Sequence, residues 1–314
     1  MNKILILGGT GFVGTHLCEK VTRLAWRATV PTRRRAAAQH LWMLPPLDLF
    51  EVDVHDEAAL TRLLAGHDAV VNLVGILHGS ESAFARVHEL LPQKLVRACA
   101  ATGVRRIVHV SALGAALDAP SMYLRSKARG EEVLRGADLD LTVLRPSVVF
   151  GREDRFLNLF ARLQRVFPVM PLAGSTAKFQ PVWVQDVATA ILRCLQERRH
   201  IGQTYEACGP QVLTLKELVQ IAGRLAGCER PVIPLSPALG RLQALLMAAL
   251  PGEPLISRDN LDSMTVDSIA SGLLPGLQAL DIAPTALSAI APSYLHAPGL
   301  EDELLAMRRT AGRT

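Results

Sequence analysis

The chain has 314 residues, of which 49% are hydrophobic and 20% charged, and a formal net charge of +5. That length encloses a core without covalent staples and, at roughly 150 residues per domain, suggests about two domains. The composition excludes a mainly disordered chain, and five scattered cysteines without a Cys-x-x-Cys pair exclude a disulfide scaffold and read as reduced thiols.

Short β-branched runs alternate with longer helical patterns from the start. Residues 3–7 are a compact apolar strand, 8–14 a glycine turn and 12–24 a helix. Strands follow at 28–30 and 49–54, a helix at 57–64, a strand at 69–74, a long amphipathic helix at 84–101, a strand at 106–110, a helix at 123–134 and a strand at 141–144. Nearly continuous Val/Ile/Leu strands separated by helices predict an α/β fold, a Rossmann-type doubly wound parallel sheet. Beyond residue 150 proline and glycine break the pattern. Residues 1–150 are therefore read as a nucleotide-binding domain, to which segments near 179–207 return. Residues 151–298 are read as a smaller, helix-rich lobe for substrate or partner, and 299–314 as a polar tail.

The cluster Gly8-Gly9-Thr10-Gly11-Phe12-Val13-Gly14 satisfies Gly-x-Gly-x-x-Gly at the first strand-to-helix turn. Glycines there let a pyrophosphate approach the free N–H groups of a helix N-terminus. The second strand ends in Thr32-Arg33-Arg34-Arg35 with no acid beside it in sequence. A free ribose 2′-hydroxyl calls for an acid at that point and a 2′-phosphate for arginine, so NADP(H) is expected over NAD(H), with Arg33 and Arg34 as the phosphate ligands; a solvated basic loop is the alternative. Asp53 and Val54, at the expected end of the third strand, are placed against the adenine edge, or in water. Val74 at the end of the fourth strand and Pro146 after the sixth complete the cofactor-contacting set, together with Gly8, Thr10, Gly11, Phe12, Val13, Gly14 and Lys127.

The fifth strand runs into Ser111, and twelve residues on comes Tyr123-Leu124-Arg125-Ser126-Lys127. Tyrosine and lysine four apart share a helix face. A lysine ammonium favours the phenolate and can hold a ribose, and a serine at the strand end can polarise a substrate oxygen. This is acid–base machinery for hydride transfer at a carbonyl or alcohol. The same pair without turnover would serve only to bind cofactor.

Together these residues resemble the extended form of the short-chain dehydrogenase/reductase superfamily, of epimerase/dehydratase type. The resemblance narrows at Val108-His109-Val110-Ser111-Ala112-Leu113-Gly114, Leu144-Arg145-Pro146-Ser147, Asp154-Arg155-Phe156-Leu157-Asn158, Gln180-Pro181-Val182-Trp183-Val184-Gln185-Asp186 and Ser257-Arg258-Asp259-Asn260-Leu261. These are similar to an atypical branch that contains the alpha-subcomplex subunit nine of mitochondrial respiratory complex I and its bacterial relatives. The resemblance implies a tightly held NADPH, a catalytic set of Ser111, Tyr123 and Lys127, and an oxidoreductase or epimerase-like activity. It equally implies a non-catalytic accessory or assembly role in a respiratory complex, beside a quinone or lipid; the catalytic reading implies a small-molecule substrate or a quinone. The superfamily's fourth polar residue, an asparagine before the fifth strand, has no match; His88 or Glu89 lies in that region.

Other signals have two readings each. Arg152, Asp154 and Arg155 follow the sixth strand and meet either an anionic substrate or one another. Asp186 precedes a helix and caps it. The apolar stretch 239–250 packs into the lobe or docks on a membrane or partner. Nine dispersed histidines lack metal-ligand spacing, and 4% aromatic residues are few for base stacking, so neither a metal nor a nucleic acid is expected. No segment reaches the ~20 apolar residues of a spanning helix and no basic leader precedes Ile4, which predicts a cytoplasmic protein, or one peripheral at the inner membrane.

Overall fold

The computed structural model describes residues 3–248 and 256–295. A parallel sheet of seven strands forms its centre, in the order β11-β6-β5-β4-β1-β2-β3. The first six strands are β1 (Lys3–Leu7), β2 (Arg27–Thr32), β3 (Leu47–Glu51), β4 (Ala69–Asn72), β5 (Arg106–Val110) and β6 (Asp140–Pro146). Between them run α1 (Phe12–Arg23), α2 (Glu57–Leu64), α3 (Glu81–Ala85), α4 (Leu91–Thr102) and α5 (Met122–Arg135). The central strands are apolar along most of their length because helices cover both faces. Ile4 and Ile6 join one core layer with α1; Leu5 and Leu7 join the other with α2 and α4. Strand order reverses between β1 and β4, and the crevice at their carboxyl ends holds the Gly8–Gly14 loop on one side and Leu73-Val74-Gly75 on the other.

Two expected elements differ. The third strand lies at Leu47–Glu51 rather than 49–54, so Asp53 and Val54 fall in the connection to α2. The long helix expected at 84–101 is broken by a π turn at Arg86–Leu90. The cause is Pro92, at the start of α4, which has no N–H to give to the carbonyl of His88 four residues back.

The remaining strands are short. The elements that follow are β7 (Val149–Phe150), α6 (Leu157–Val166), β8 (Met170–Leu172), β9 (Lys178–Phe179), β10 (Val182–Trp183), α7 (Val184–Gln196), β11 (Thr204–Ala207), β12 (Leu213–Thr214), α8 (Leu215–Leu225), β13 (Val232–Pro234), α9 (Pro237–Ala248), α10 (Arg258–Ser263), α11 (Leu287–Ile290) and α12 (Pro292–Leu295). β11 pairs with β6 at the sheet edge, and α7 packs on α1. A separate core gathers α6, α8, α11 and α12 around Phe150, Leu157 and Leu218. Buried carboxylates tie these pieces together. Asp154 accepts from the N–H groups of Leu157 (2.6 Å) and Phe156 (2.9 Å) and from the Tyr294 hydroxyl (2.9 Å). It therefore seats α12 on the start of α6 rather than meeting an anionic substrate or forming a surface ion pair. Asp186 does not cap α7; its carboxylate accepts from the Thr285 backbone at 2.7 Å.

Candidate active site

The glycine loop is shaped by what a Cβ would strike. Gly8 has φ +79° and lies against the Leu73 backbone. A Cβ on Gly14 would come within 2.4 Å of the Gly8 carbonyl oxygen, and one on Gly9 within 2.7 Å of Val30. The loop is thus pressed onto β1, β2 and the end of β4, with Val13 packed on the core and the Phe12 ring under Gly151. Gly11 differs: a Cβ there would meet only the Gly8 oxygen, at 3.2 Å. Gly11 is also the N-cap of α1 and supplies no side-chain cap, so the first-turn donors of α1 face the open side of the loop.

At the end of β2, the Thr32 hydroxyl donates to the Arg34 carbonyl at 3.0 Å and turns the chain. Arg33 and Arg34 are exposed, and among the described residues no carboxylate pairs with either. An acid does lie near, contributed by β3: Glu51 accepts from the Arg35 N–H at 3.1 Å. Asp53 is occupied by the His55 N–H at 3.0 Å and lies 3.8 Å from Arg86.

On the other side of the crevice, Ser121 caps α5 and starts the turn that carries Tyr123. Lys127, one turn on, donates from Nζ to the Val110 carbonyl at 2.9 Å and so lies at the end of β5 beside Ser111. The Ser111 hydroxyl is buried and has no partner among the described residues. Burial pushes the Lys127 ammonium down to about 8, against the pull of Glu131. Glu131 is itself buried and bound at 2.9 and 2.7 Å by the Arg145 fork. The Tyr123 phenol is pushed up to about 12 by burial, so the lowering expected from the lysine is not what governs it.

The π turn aims His88 into this site and Glu89 away from it, to Arg129 at 2.7 Å. His88 Nε2 accepts from the Ile76 N–H at 3.2 Å, which leaves the proton on Nδ1 to donate to Ser126 Oγ at 2.8 Å. Ser126 in turn donates to the Tyr123 carbonyl at 2.8 Å. The His88 ring stands edge-on to Tyr123, with centroids 5.7 Å apart. Burial, then Lys127, pushes its imidazole down to about 3. This approach needs Gly130, where a Cβ would lie 2.0 Å from the His88 oxygen. On the sheet side Val74 donates to Asn72 Oδ1 at 3.2 Å, Asn72 Nδ2 meets His109 Nδ1 at 3.2 Å, and His109 Nε2 is buried without a partner among the described residues.

Asp259 is the residue that sequence reasoning quoted without a role. It comes from α10, accepts from the N–H groups of Met122 (2.6 Å) and Tyr123 (3.1 Å), and is buried. The helix that carries Tyr123 is therefore capped by a carboxylate from a remote part of the chain. The Ser257/Asn260 capping box that starts α10 was the available signal for a helix there, but not for its target.

A glycine-lined crevice at a strand-order reversal, an uncapped first helix and an orphaned serine hydroxyl beside a pinned lysine fit a nicotinamide dinucleotide. They define a Rossmann-type, short-chain-dehydrogenase-like protein. The model of the NAD dependent epimerase/dehydratase family matches residues 4–208, and the chain belongs to that family. It is 30% identical to subunit 9 of the NADH dehydrogenase [ubiquinone] 1 alpha subcomplex of Arabidopsis thaliana, over 92% of this chain and 76% of that protein. It is also 30% identical to a ceramide reductase of Caulobacter vibrioides, over 60% of this chain and 59% of that one. Among solved structures, a nucleoside-diphosphate-sugar epimerase from Staphylococcus aureus superposes with a TM-score of 0.71 at 19% identity, covering 94% of this chain and 99% of that one.

Proposed function

We propose that the protein holds NADP(H) and uses it for hydride transfer at a carbonyl or alcohol carbon. The observation that carries this is Ser111: a buried hydroxyl without a partner among the described residues, at the strand end where Lys127 is pinned to the Val110 carbonyl. Backbone donors of the Gly8–Gly14 loop would hold the pyrophosphate, and Arg33 and Arg34 the 2′-phosphate. The nicotinamide supplies or accepts the hydride. Ser111 would orient the substrate oxygen, Tyr123 would exchange a proton with it, and Lys127 would hold the ribose. With its phenol pushed up to about 12 by burial, Tyr123 keeps its proton at neutral pH and would give it to the substrate oxygen in the reducing direction. The ceramide reductase among the relatives supports a reductase reading with a lipid-like substrate.

A second reading is a nucleotide-bound accessory protein of a respiratory assembly. The complex I relatives over nine-tenths of the chain favour it.

Tyr123→Phe separates the two. In the enzyme, oxidation of bound NADPH by carbonyl substrates falls by two orders of magnitude or more while nucleotide affinity holds. In the accessory protein the variant is indistinguishable from wild type in both assays. Calorimetry that detects uptake of neither NADPH nor NADH ends both readings.

A further inference from the structure

Helix α9 is built inside out. Gly240 and Ala244 face the protein, where Gly240 lies so close to Ala173 that a Cβ would be 2.8 Å from the alanine methyl. The leucines face the other way: Leu239, Leu242 and Leu245 are 54%, 51% and 49% exposed. The exposed apolar surface continues beyond the helix. Gln243 donates to the Pro171 carbonyl at 3.3 Å and fixes α9 beside β8. β13 pairs with β8 and sets exposed Ile233 opposite Pro171, and exposed Val166, Phe167 and Val169 lead into β8.

Residues 155–172 and 230–248, which build this face, contain no aspartate or glutamate; every charged residue in them is arginine. Arg162 and Arg241 are exposed. An apolar ridge set among arginines matches the interface of an anionic bilayer, where leucine and phenylalanine enter the acyl boundary and guanidinium groups meet lipid phosphates. No helix among the described residues is long and apolar enough to cross a membrane, so the match is to the surface. The face also adjoins the site: α10 packs on α9 and carries Asp259 to the Tyr123 helix.

We propose that α9, Ile233 and the 166–169 segment form a docking surface for an anionic phospholipid bilayer. This does not depend on the nucleotide reading. The test is sedimentation of the full chain with phosphatidylcholine vesicles, with and without about 30 mol% phosphatidylglycerol. Wild type is expected to pellet with the anionic vesicles and to be released by salt. The double variant Leu242→Glu/Leu245→Glu is expected to lose partitioning about tenfold or more, with melting temperature and nucleotide affinity unchanged, because both side chains are half exposed. Equal partitioning of variant and wild type overturns the proposal. So does a wild-type chain that ignores vesicles: if it self-associates in a way the double variant abolishes, the face joins two copies; if it stays monomeric, another segment of the chain covers the face.

Discussion

The two sides of the crevice are held in different ways. The glycine-loop side rests on contiguous chain: a strand, a turn and a helix within residues 3–23, shaped by backbone that tolerates no Cβ at Gly14. The Tyr123 side rests on long-range side-chain bonds. Asp259 caps α5 from 136 and 137 residues away, His88 reaches Ser126 across 38, and Arg145 grips Glu131 across 14. Beyond residue 150, where strands are two to four residues long, Asp154 and Asp186 fasten elements in the same manner. A locally encoded half withstands remote changes. A half assembled from buried carboxylates is sensitive to single substitutions far from the chemistry.

The strongest attack on the first side is Gly14→Ala. Its Cβ would meet only backbone, so the cost is ~3 kcal/mol or more, and the variant should be recovered unfolded or without nucleotide binding. Gly11→Ala sharpens the point, because it should fold with a near-native melting temperature and lose nucleotide affinity alone, as calorimetry would record. On the second side, Asp259→Ala removes two helix-start bonds and should cost about 2 kcal/mol in chemical denaturation, leaving NADPH affinity within a fewfold of wild type. Equal stability of variant and wild type would show that α5 does not need its remote cap. Arg33→Glu tests the cofactor choice: a charge-assisted bond of roughly 1.5–3 kcal/mol predicts about a ten- to hundredfold loss for NADPH with NADH little changed.

Acid gives the smallest effect. His88 is neutral in the fold, its imidazole pushed to about 3, whereas an unfolded histidine titrates near the usual ~6.5. The unfolded state therefore binds the extra proton first, and the His88 contribution is complete above ~6.5 and lost as pH falls from there toward 3. Between pH 7 and 6 the loss is under about 1 kcal/mol, and His88→Asn should flatten it in stability curves measured across that range.

Much of the first side was legible in the residues. Nearly continuous Val/Ile/Leu runs marked β1, β4 and β5, and the loop from Gly8 to Gly14 marked the crevice, because close backbone approach leaves glycine as the tolerated residue. The Tyr123–Lys127 spacing was legible too, since a helix puts four-apart residues on one face. His88 was visible only as one of two neighbours; the π turn that selects it over Glu89 has Pro92 as its sole local mark. Asp53 was misplaced because the third strand, at the sheet edge, is too exposed for its pattern to mark its end.

The sequence by itself determined the α/β class and the position of the glycine loop, because periodicity and glycine placement act over a few residues, and its longer motifs carried the family resemblance. Tertiary structure alone decided that Asp259 caps the tyrosine helix, that Asp154 is a buried latch, that Ser111 has no partner among the described residues and that Leu239, Leu242 and Leu245 face outward. Each of those depends on which distant backbone donor or packing surface a side chain meets, and no local pattern records that.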